Sequence, residues 1–255
     1  MGGTDGGCCR RRRREPGVTP LETAIGILVY LVGSTIQGAI GFGANLFAVP
    51  ILALVNPEYV PGPVLMINPV LTSVLTWRER GNVDGQALGW TILGRLPGIA
   101  IGVFALSLVS EERLGVLFGV LLLSAVALKA GGLHLPRSRG TLLAAGGTSG
   151  FMGTTVGVGG PPVAIVLLDL PGPAFRATMS PYFLVGTTLS LAALALGGHF
   201  DLDDLVAGLW LLPGVLVGAV LSGPLRRHVD AGRTAKAVYV LSTAAAVALL
   251  VRSLT

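Results

Sequence analysis

Long apolar runs alternate with short polar stretches along nearly the whole chain. Most of these runs reach about 15 to 25 residues, the length that an α-helix needs to cross the hydrocarbon core of a bilayer. The pattern therefore predicts an all-α, polytopic helical membrane protein. The apolar segments, in chain order, are 21–55, 62–77, 85–108, 113–130, 141–169, 174–197, 203–222 and 233–252.

Two of these segments contain glycine-rich interruptions. Gly157-Val-Gly-Gly-Pro-Pro162 interrupts the fifth segment, and a weaker copy, Gly41-Phe-Gly-Ala-Asn45, interrupts the first one 116 residues earlier. Glycine and proline disrupt helices, and lipid offers the freed backbone groups no hydrogen-bond partners. Interruptions at matching places in two halves of a chain are typical of a transporter's binding site. The sequence therefore predicts two broken helices that face a shared cavity.

The order of the apolar segments indicates two related halves. A shift of 116 residues places Gly41 on Gly157 and the tripeptide 96–98, Leu-Pro-Gly, on the tripeptide 212–214; later the shift becomes 120. Chance matching among abundant glycine, leucine and alanine is the alternative. The predicted organisation is a disordered, arginine-rich tail over 1–20, a first repeat over 21–130, a linker over 131–140 and a second repeat over 141–252.

Basic residues allow two arrangements in the membrane. Counting each broken segment as one crossing gives eight crossings and parallel halves, with the tail run 10–14 in the cytoplasm. Counting each as two crossings gives ten crossings and inverted halves, and the five tail arginines are then translocated. Both arrangements follow the positive-inside rule. We expect eight crossings, because moving five arginines across the bilayer is costly.

Composition and charge agree with the membrane class. The chain is 52% hydrophobic and only 12% charged, far below the roughly 25% charged share of soluble domains. Its net charge of +5 comes largely from the tail and from the flanks of apolar segments, so it indicates control of topology rather than nucleic-acid binding. There is neither a P-loop nor a His-Glu-x-x-His motif, so we expect no metal, no cofactor and no nucleotide hydrolysis.

The N-terminal region has two further interpretations. The apolar run from Ala24 is longer than the apolar core of a signal peptide, so we expect a retained first transmembrane helix. Cys8 and Cys9 are adjacent in the tail, where we expect a disordered segment; palmitoylation is the alternative.

A restarted helix after the second interruption would suit an anion. Proline is well accommodated in the first helical turn, and the N–H groups at a helix start carry a partial positive charge. Gln37 and Asn68 would add amides from the first half. The predicted substrate-binding residues are Gly41, Gly43, Asn45, Thr154, Thr155, Gly157, Gly159, Gly160, Pro161 and Arg95.

Three charged residues near the apolar segments are candidates for function. Arg95 lies well inside its segment, where it would recognise an oxyanion through two hydrogen bonds; the alternative is that it snorkels to the surface. Arg176 and Asp169 are predicted to act in gating, Arg176 because it begins a helix and Asp169 because it lies near a break. A purely structural ion pair between them is the alternative.

Several of these motifs resemble a known family. The second interruption followed by Phe175-Arg176-Ala177-Thr178 is similar to a signature of the sulfite exporter TauE/SafE family. The stretch from Gly41 to Pro50 resembles the family's first signature, and the stretch 78–84 before a Pro-Gly helix is also similar. That first signature usually runs Gly-x-Gly-Gly-Gly, whereas this chain has Ala44 and Asn45. Asparagine tolerates a left-handed backbone better than alanine, so the first segment is expected to be the more regular helix.

The resemblance, which covers about residues 20–252, implies a non-enzymatic, multi-pass transporter of the cell (inner) membrane. Its implied substrates are small anions such as sulfite or organosulfonates, exported or imported. The implied partners are this anionic solute and the lipid bilayer, without nucleic acid; a homo-oligomer is left open. A membrane assembly factor for a respiratory or metal-containing complex and a passive channel are the alternatives.

Overall fold

The computed structural model describes residues 18–108, 120, 124 and 135–226, and within them the regular structure is entirely helical. The prediction of an all-α membrane protein is confirmed. Among the described residues, four helices, α1, α4, α7 and α8, are long and apolar enough to cross a membrane. The helices are α1 (Pro20–Ile40), α2 (Ala44–Val55), α3 (Gly62–Arg78), α4 (Gly85–Leu108), α5 (Arg139–Val156), α6 (Gly160–Val166), α7 (Gly172–Leu196) and α8 (Leu202–Leu225).

A short 3-10 helix, Pro57–Tyr59, connects α2 to α3. Most of the predicted tail, nearly all of segment 113–130 and the whole of segment 233–252 lie outside the described residues, as do Cys8 and Cys9. The division into two repeats therefore stays a prediction.

Polar caps mark where α1 and α8 begin. The Thr19 hydroxyl accepts the Glu22 N–H at 3.3 Å, and the Glu22 carboxylate accepts the Thr19 N–H at 2.7 Å. At α8 the Asp201 carboxylate accepts the N–H groups of Asp203 and Asp204, both at 3.0 Å. These side chains satisfy backbone donors that a helix start leaves free, so each apolar helix begins at a defined polar residue.

The chain reverses direction at the first glycine interruption. Gly41 and Gly43 have φ angles of +106° and +115°, a region that glycine enters without the penalty other residues incur. A Cβ built on Gly33 would lie 3.1 Å from the Ala44 carbonyl oxygen, and Gly26, near the start of α1, faces Leu52 near the end of α2. Helix α2 thus runs antiparallel to α1. The expectation of a more regular first segment is wrong, because the two glycines alone suffice for the turn.

The second interruption produces a similar hairpin. Gly157 has a φ of +74°, and the Ser149 hydroxyl within α5 donates to the Gly159 carbonyl oxygen. Arg137, just before α5, pairs with Asp169, just after α6, at 3.6 Å. Helix α6 therefore returns along α5 towards the end from which α5 started. Each predicted broken helix is thus a helical hairpin in the structure.

Polar contacts sort the helix ends into two groups. One group, the arginine end, comprises 78–84, 135–139, 167–176 and 226, and it is connected by ion pairs such as Arg137–Asp84 at 2.8 Å. The other group, the acidic end, contains Glu22, Glu58, Asp201, Asp203 and Asp204. There the start of α3 meets the start of α8, since a Cβ on Gly62 would lie 2.5 Å from the Asp204 carboxyl carbon.

The ion pairs contradict the arrangement with eight crossings. That arrangement places Glu79 in the cytoplasm and both Arg176 and Arg226 outside. In the structure, Glu79 contacts Arg176 at 3.6 Å and Arg226 at 2.7 Å. The physical reason is the reversal of the chain at each interruption, which adds a change of direction that a single broken crossing lacks.

Close helix packing places each hairpin against a helix that is distant in sequence. Helix α8 packs on α1, where Gly214 abuts the Ile27 carbonyl, and α4 packs on α5, where Gly98 abuts the Gly147 carbonyl. Glycines at such interfaces let backbones approach closely, as is common between membrane helices. Helices α3 and α7 pack on each other. This packing brings the tips of the two hairpins together.

Candidate functional site

The two hairpin tips are joined by a direct hydrogen bond. The Asn45 side-chain amide donates to the Gly157 carbonyl oxygen at 2.7 Å, and the Tyr30 hydroxyl donates to the Asn45 amide oxygen at 3.3 Å. Asn45 lies in the first turn of α2. Its backbone is therefore helical and not left-handed, and Asn45 acts through its side chain.

Helix starts at the tips offer few free donors. At α2, the Gln37 side-chain oxygen already accepts the Ala44 N–H at 3.1 Å. Helix α6 has seven residues, and its second and third are Pro161 and Pro162, which have no N–H to donate. A short helix with two missing donors supplies little of the partial charge expected at a helix start. The site's positive charge has to come from elsewhere.

A small cavity of about 20 Å³ lies between the tips, which is room for roughly one water molecule. Its lining includes the amides of Gln37 and Asn68 and the rings of Phe42 and Phe183. Seven residues predicted from the sequence also line it: Gly43, Asn45, Arg95, Gly157, Gly159, Gly160 and Pro161. The structure thus brings most of the predicted site residues together at one place.

Arg95 supplies a full positive charge at this cavity. Arg95 is only 1% exposed. Its guanidinium donates to the hydroxyl groups of Tyr182 at 3.0 Å, Ser149 at 3.3 Å and Ser190 at 3.4 Å. The guanidinium carbon also lies 5.1 Å from the centroid of the Tyr182 ring. Within the described ranges, no carboxylate forms an ion pair with it. Arg95 points into the bundle and does not snorkel to the surface.

Two glycines make room for this guanidinium. A Cβ on Gly186 in α7 would lie 2.5 Å from the Arg95 Nε, and one on Gly153 in α5 would lie 2.8 Å from its Nη2. The Arg95 surroundings, namely Ser149, Gly153, Tyr182, Gly186 and Ser190, were missed from the sequence. The available signal was polar residues inside apolar segments, Ser149 and Ser190 among them.

Three of the predicted substrate-binding residues lie away from the cavity. The Thr154 hydroxyl donates to the Ser190 hydroxyl at 2.9 Å, next to the Arg95 contacts. The Thr155 hydroxyl donates to the Phe151 carbonyl of its own helix at 2.8 Å. A Cβ on Gly41 would lie 2.9 Å from the Arg176 Cγ, which places Gly41 towards the arginine end. Thr154 therefore supports the site indirectly, and the other two do not contact it.

Arg176 and Asp169 have different partners from each other. Arg176 pairs with Glu79 at 3.6 Å, whereas Asp169 pairs with Arg137 at 3.6 Å. The alternative of a structural ion pair between Arg176 and Asp169 is therefore wrong. Their gating roles stay a prediction.

Comparison with known proteins identifies the family. The family profile described as sulfite exporter TauE/SafE matches residues 25–249, which includes both hairpins, Arg95 and the segments around Glu79 and Arg176. No curated protein and no solved structure matches the chain. Because the profile match extends over most of the sequence, the chain belongs to the sulfite exporter TauE/SafE family.

Proposed function

We propose that the protein is a secondary transporter that moves small anions, of the sulfite or organosulfonate type, through the site between the hairpin tips. The family supports anion transport across a membrane as the general function. The observation that carries the proposal is Arg95, a buried guanidinium beside a cavity, without a carboxylate partner in the described part of the chain. An uncompensated charge at membrane depth is costly, so an anion bound beside it would be stabilised.

The surroundings of Arg95 fit an oxyanion. Hydroxyl groups of Ser149, Tyr182 and Ser190 hold the guanidinium in place by accepting its N–H groups, and a guanidinium presents paired donors that match the geometry of an oxyanion. The amides of Gln37 and Asn68 line the same cavity and provide neutral donors. The rings of Phe42 and Phe183 limit the space, which favours a small solute.

The cavity is too small for such an anion in the described state. A volume of about 20 Å³ accepts one water molecule, as expected for a closed conformation of the transporter. Binding requires the hairpin tips to separate, and the Asn45–Gly157 hydrogen bond lies where they would part. Movement of one hairpin relative to the other would expose Arg95 to each side in turn, as expected for alternating access.

We further infer ten crossings with inverted halves and a cytoplasmic arginine end. All basic side chains of the described loops and helix ends lie at the arginine end: Arg78, Arg80, Arg137, Arg139, Arg176 and Arg226. This distribution supports the orientation through the positive-inside rule. An inside-negative potential drives an anion out of the cell, so the anion's own charge supplies the driving force for export.

Flux measurements in proteoliposomes test the proposal. Radiolabelled sulfite or sulfoacetate is loaded inside, and a potassium diffusion potential drives efflux. We expect Arg95→Gln to remove at least nine-tenths of the saturable flux, because that is about the effect of losing one charged hydrogen-bonding group. Arg95→Lys should keep a measurable part of the wild-type flux. Arg80→Gln, which removes an exposed arginine of the arginine end, serves as the control and should transport normally.

Three outcomes would contradict the proposal. Equal flux in Arg95→Gln and wild type would remove Arg95 from the mechanism. Vesicles that stay impermeable to every oxyanion would favour the assembly factor, and flux that never saturates would indicate a channel.

A further inference from the structure

Four charged side chains meet at the arginine end, at some distance from Arg95. The Glu79 carboxylate is contacted by Arg226 Nη1 at 2.7 Å, by Arg78 Nε at 3.5 Å and by Arg176 Nε at 3.6 Å. Its side chain is only 8% exposed. These residues, which we call the arginine cluster, come from the ends of α3, α7 and α8, and their charges sum to +2.

The arginine cluster lines a second and larger cavity. Its volume is about 390 Å³, and the other lining residues are Gly81, Asn82 and Pro173. An oxyanion with its first hydration waters fits this volume, whereas the inner cavity of about 20 Å³ does not hold one. The cluster therefore has both the charge and the space that an anion needs.

Two arginine donors in the cluster are held only loosely by Glu79. The Arg78 Nη groups are fixed by the Gly38 carbonyl at 2.8 Å, the Ala219 carbonyl at 3.1 Å and the Ser222 hydroxyl at 2.9 Å. The Nε atoms of Arg78 and Arg176 are buried and face the Glu79 carboxylate at 3.5 and 3.6 Å, too loosely for a hydrogen bond within the described residues. Buried donors that lack a well-formed hydrogen bond are costly. Glu79 alone leaves part of the donor capacity of the three guanidiniums unused.

The cluster also contacts the first hairpin. A Cβ on Gly41 would lie 2.9 Å from the Arg176 Cγ, and Arg78 binds the Gly38 carbonyl. Gly43, two residues beyond Gly41, lines the inner cavity. The tip of this hairpin thus separates the two cavities, and its movement would connect them.

We propose that the arginine cluster is a second anion site, which loads a divalent oxyanion from the arginine end before it reaches Arg95. Glu79 takes the place of the anion in the described state, and an arriving anion displaces its carboxylate from the arginines. The net charge of +2 on the arginine cluster matches that of a dianion. The carboxylates at the acidic end would repel a dianion and so would not hold it there. This inference rests on the proposed transport function, and it specifies the place at which the substrate enters the protein.

The Michaelis constant for anion offered at each end tests the loading site. In oriented membrane vesicles, Arg226→Gln should raise KM for anion at the arginine end about threefold to tenfold with little change in kcat, because one steering charge is lost. Glu79→Gln should lower that KM, since it removes the internal competitor. KM for anion at the acidic end should stay unchanged in both variants.

Arg137→Gln is a matched control. The side chains of Arg137 and Arg226 are both 32% exposed, and each forms an ion pair at the arginine end, at 2.8 and 2.7 Å. Arg137 is absent from the lining of the second cavity. A purely structural role of these ion pairs predicts similar effects of Arg137→Gln and Arg226→Gln, and a higher KM in Glu79→Gln.

Protection from chemical modification tests the same site without transport. In a background with Cys8→Ser and Cys9→Ser, the variant Asn82→Cys places one thiol in the wall of the second cavity. Sulfate, a stable divalent oxyanion, should slow its reaction with a water-soluble thiosulfonate, and acetate should do so less. Adding Arg226→Gln should abolish this protection, whereas adding Arg137→Gln or Arg95→Gln should preserve it.

These outcomes separate the two proposals. Absence of flux in the wild type, together with sulfate protection at Asn82→Cys, would reject transport but keep the anion site. Normal flux with a KM that is unchanged in Arg226→Gln, or without sulfate protection, would reject the loading site and leave the proposed function standing.

Discussion

Asn45 and Gly157 are 112 residues apart in sequence, yet the side-chain amide of Asn45 donates to the Gly157 carbonyl oxygen over 2.7 Å. Each residue belongs to the tip of a different hairpin. The carbonyl at such a turn has left its helix, and within a membrane it needs a partner from the protein. The bond thus satisfies the backbone of one hairpin and holds the other hairpin beside it.

Replacing Asn45 by leucine should loosen the contact between the tips. The Gly157 carbonyl then loses its donor in a buried place, which costs about 1 kcal/mol. We expect a lower free energy of unfolding in detergent by about that amount, together with an altered flux. Thr188→Val is the control, since the exposed Thr188 hydroxyl donates to the Leu184 carbonyl of its own helix. Equal destabilisation by both variants would show that the contact between the tips contributes nothing specific.

A methyl group at Gly186 should disturb Arg95 without changing any charge. The new Cβ would lie 2.5 Å from the Arg95 Nε, closer than atoms of a folded protein tolerate, so the guanidinium has to move. We expect the KM for anion to rise about tenfold, because displacement of an oriented binding group commonly has an effect of that size or larger. Gly89→Ala, where the space around the position is open, should behave as wild type. A wild-type KM in Gly186→Ala would contradict the position assigned to Arg95.

Larger side chains at the second hairpin tip should abolish transport. A Cβ on Gly159 would lie 2.6 Å from the Ser149 carbonyl oxygen, and one on Gly160 would lie 3.2 Å from the Phe183 ring. We expect Gly159→Leu and Gly160→Leu to be inserted in the membrane but to show no flux, since the added side chains occupy the space around the cavity. Gly89→Leu is the control for a leucine in an open position. Normal flux in both tip variants would exclude the tip from the pathway.

The two ends of the molecule should be accessible from opposite sides of the membrane. In a background with Cys8→Ser and Cys9→Ser, Asp203→Cys at the acidic end should react with an impermeant maleimide added to intact cells. Asn82→Cys should react only after the membrane is permeabilised. The arrangement with eight crossings places position 203 in the cytoplasm. If Asp203→Cys did not react with the maleimide in intact cells, that result would support eight crossings and contradict the hairpins.

The class of the protein and the positions of its breaks follow from the sequence alone. Apolar segments long enough to cross a bilayer have few alternatives to a helix, because lipid cannot satisfy a free backbone. Glycines such as Gly41 and Gly157 permit positive φ angles locally, whatever the rest of the chain does. Arg95 is likewise notable from sequence alone, since a charge deep in an apolar segment is rarely without function.

Only the tertiary structure decided the direction of the chain after each break and the partners of the charges. A turn at Gly43 is compatible with continuation or with reversal, and the packing of Ala44 against Gly33 selects reversal. The contacts of Arg95 with Tyr182 and of Glu79 with Arg226 join residues 87 and 147 positions apart. Such pairs depend on how whole helices pack, which local sequence does not encode. For that reason the sequence pointed to a site at the breaks, while the fold determined which side chains form it.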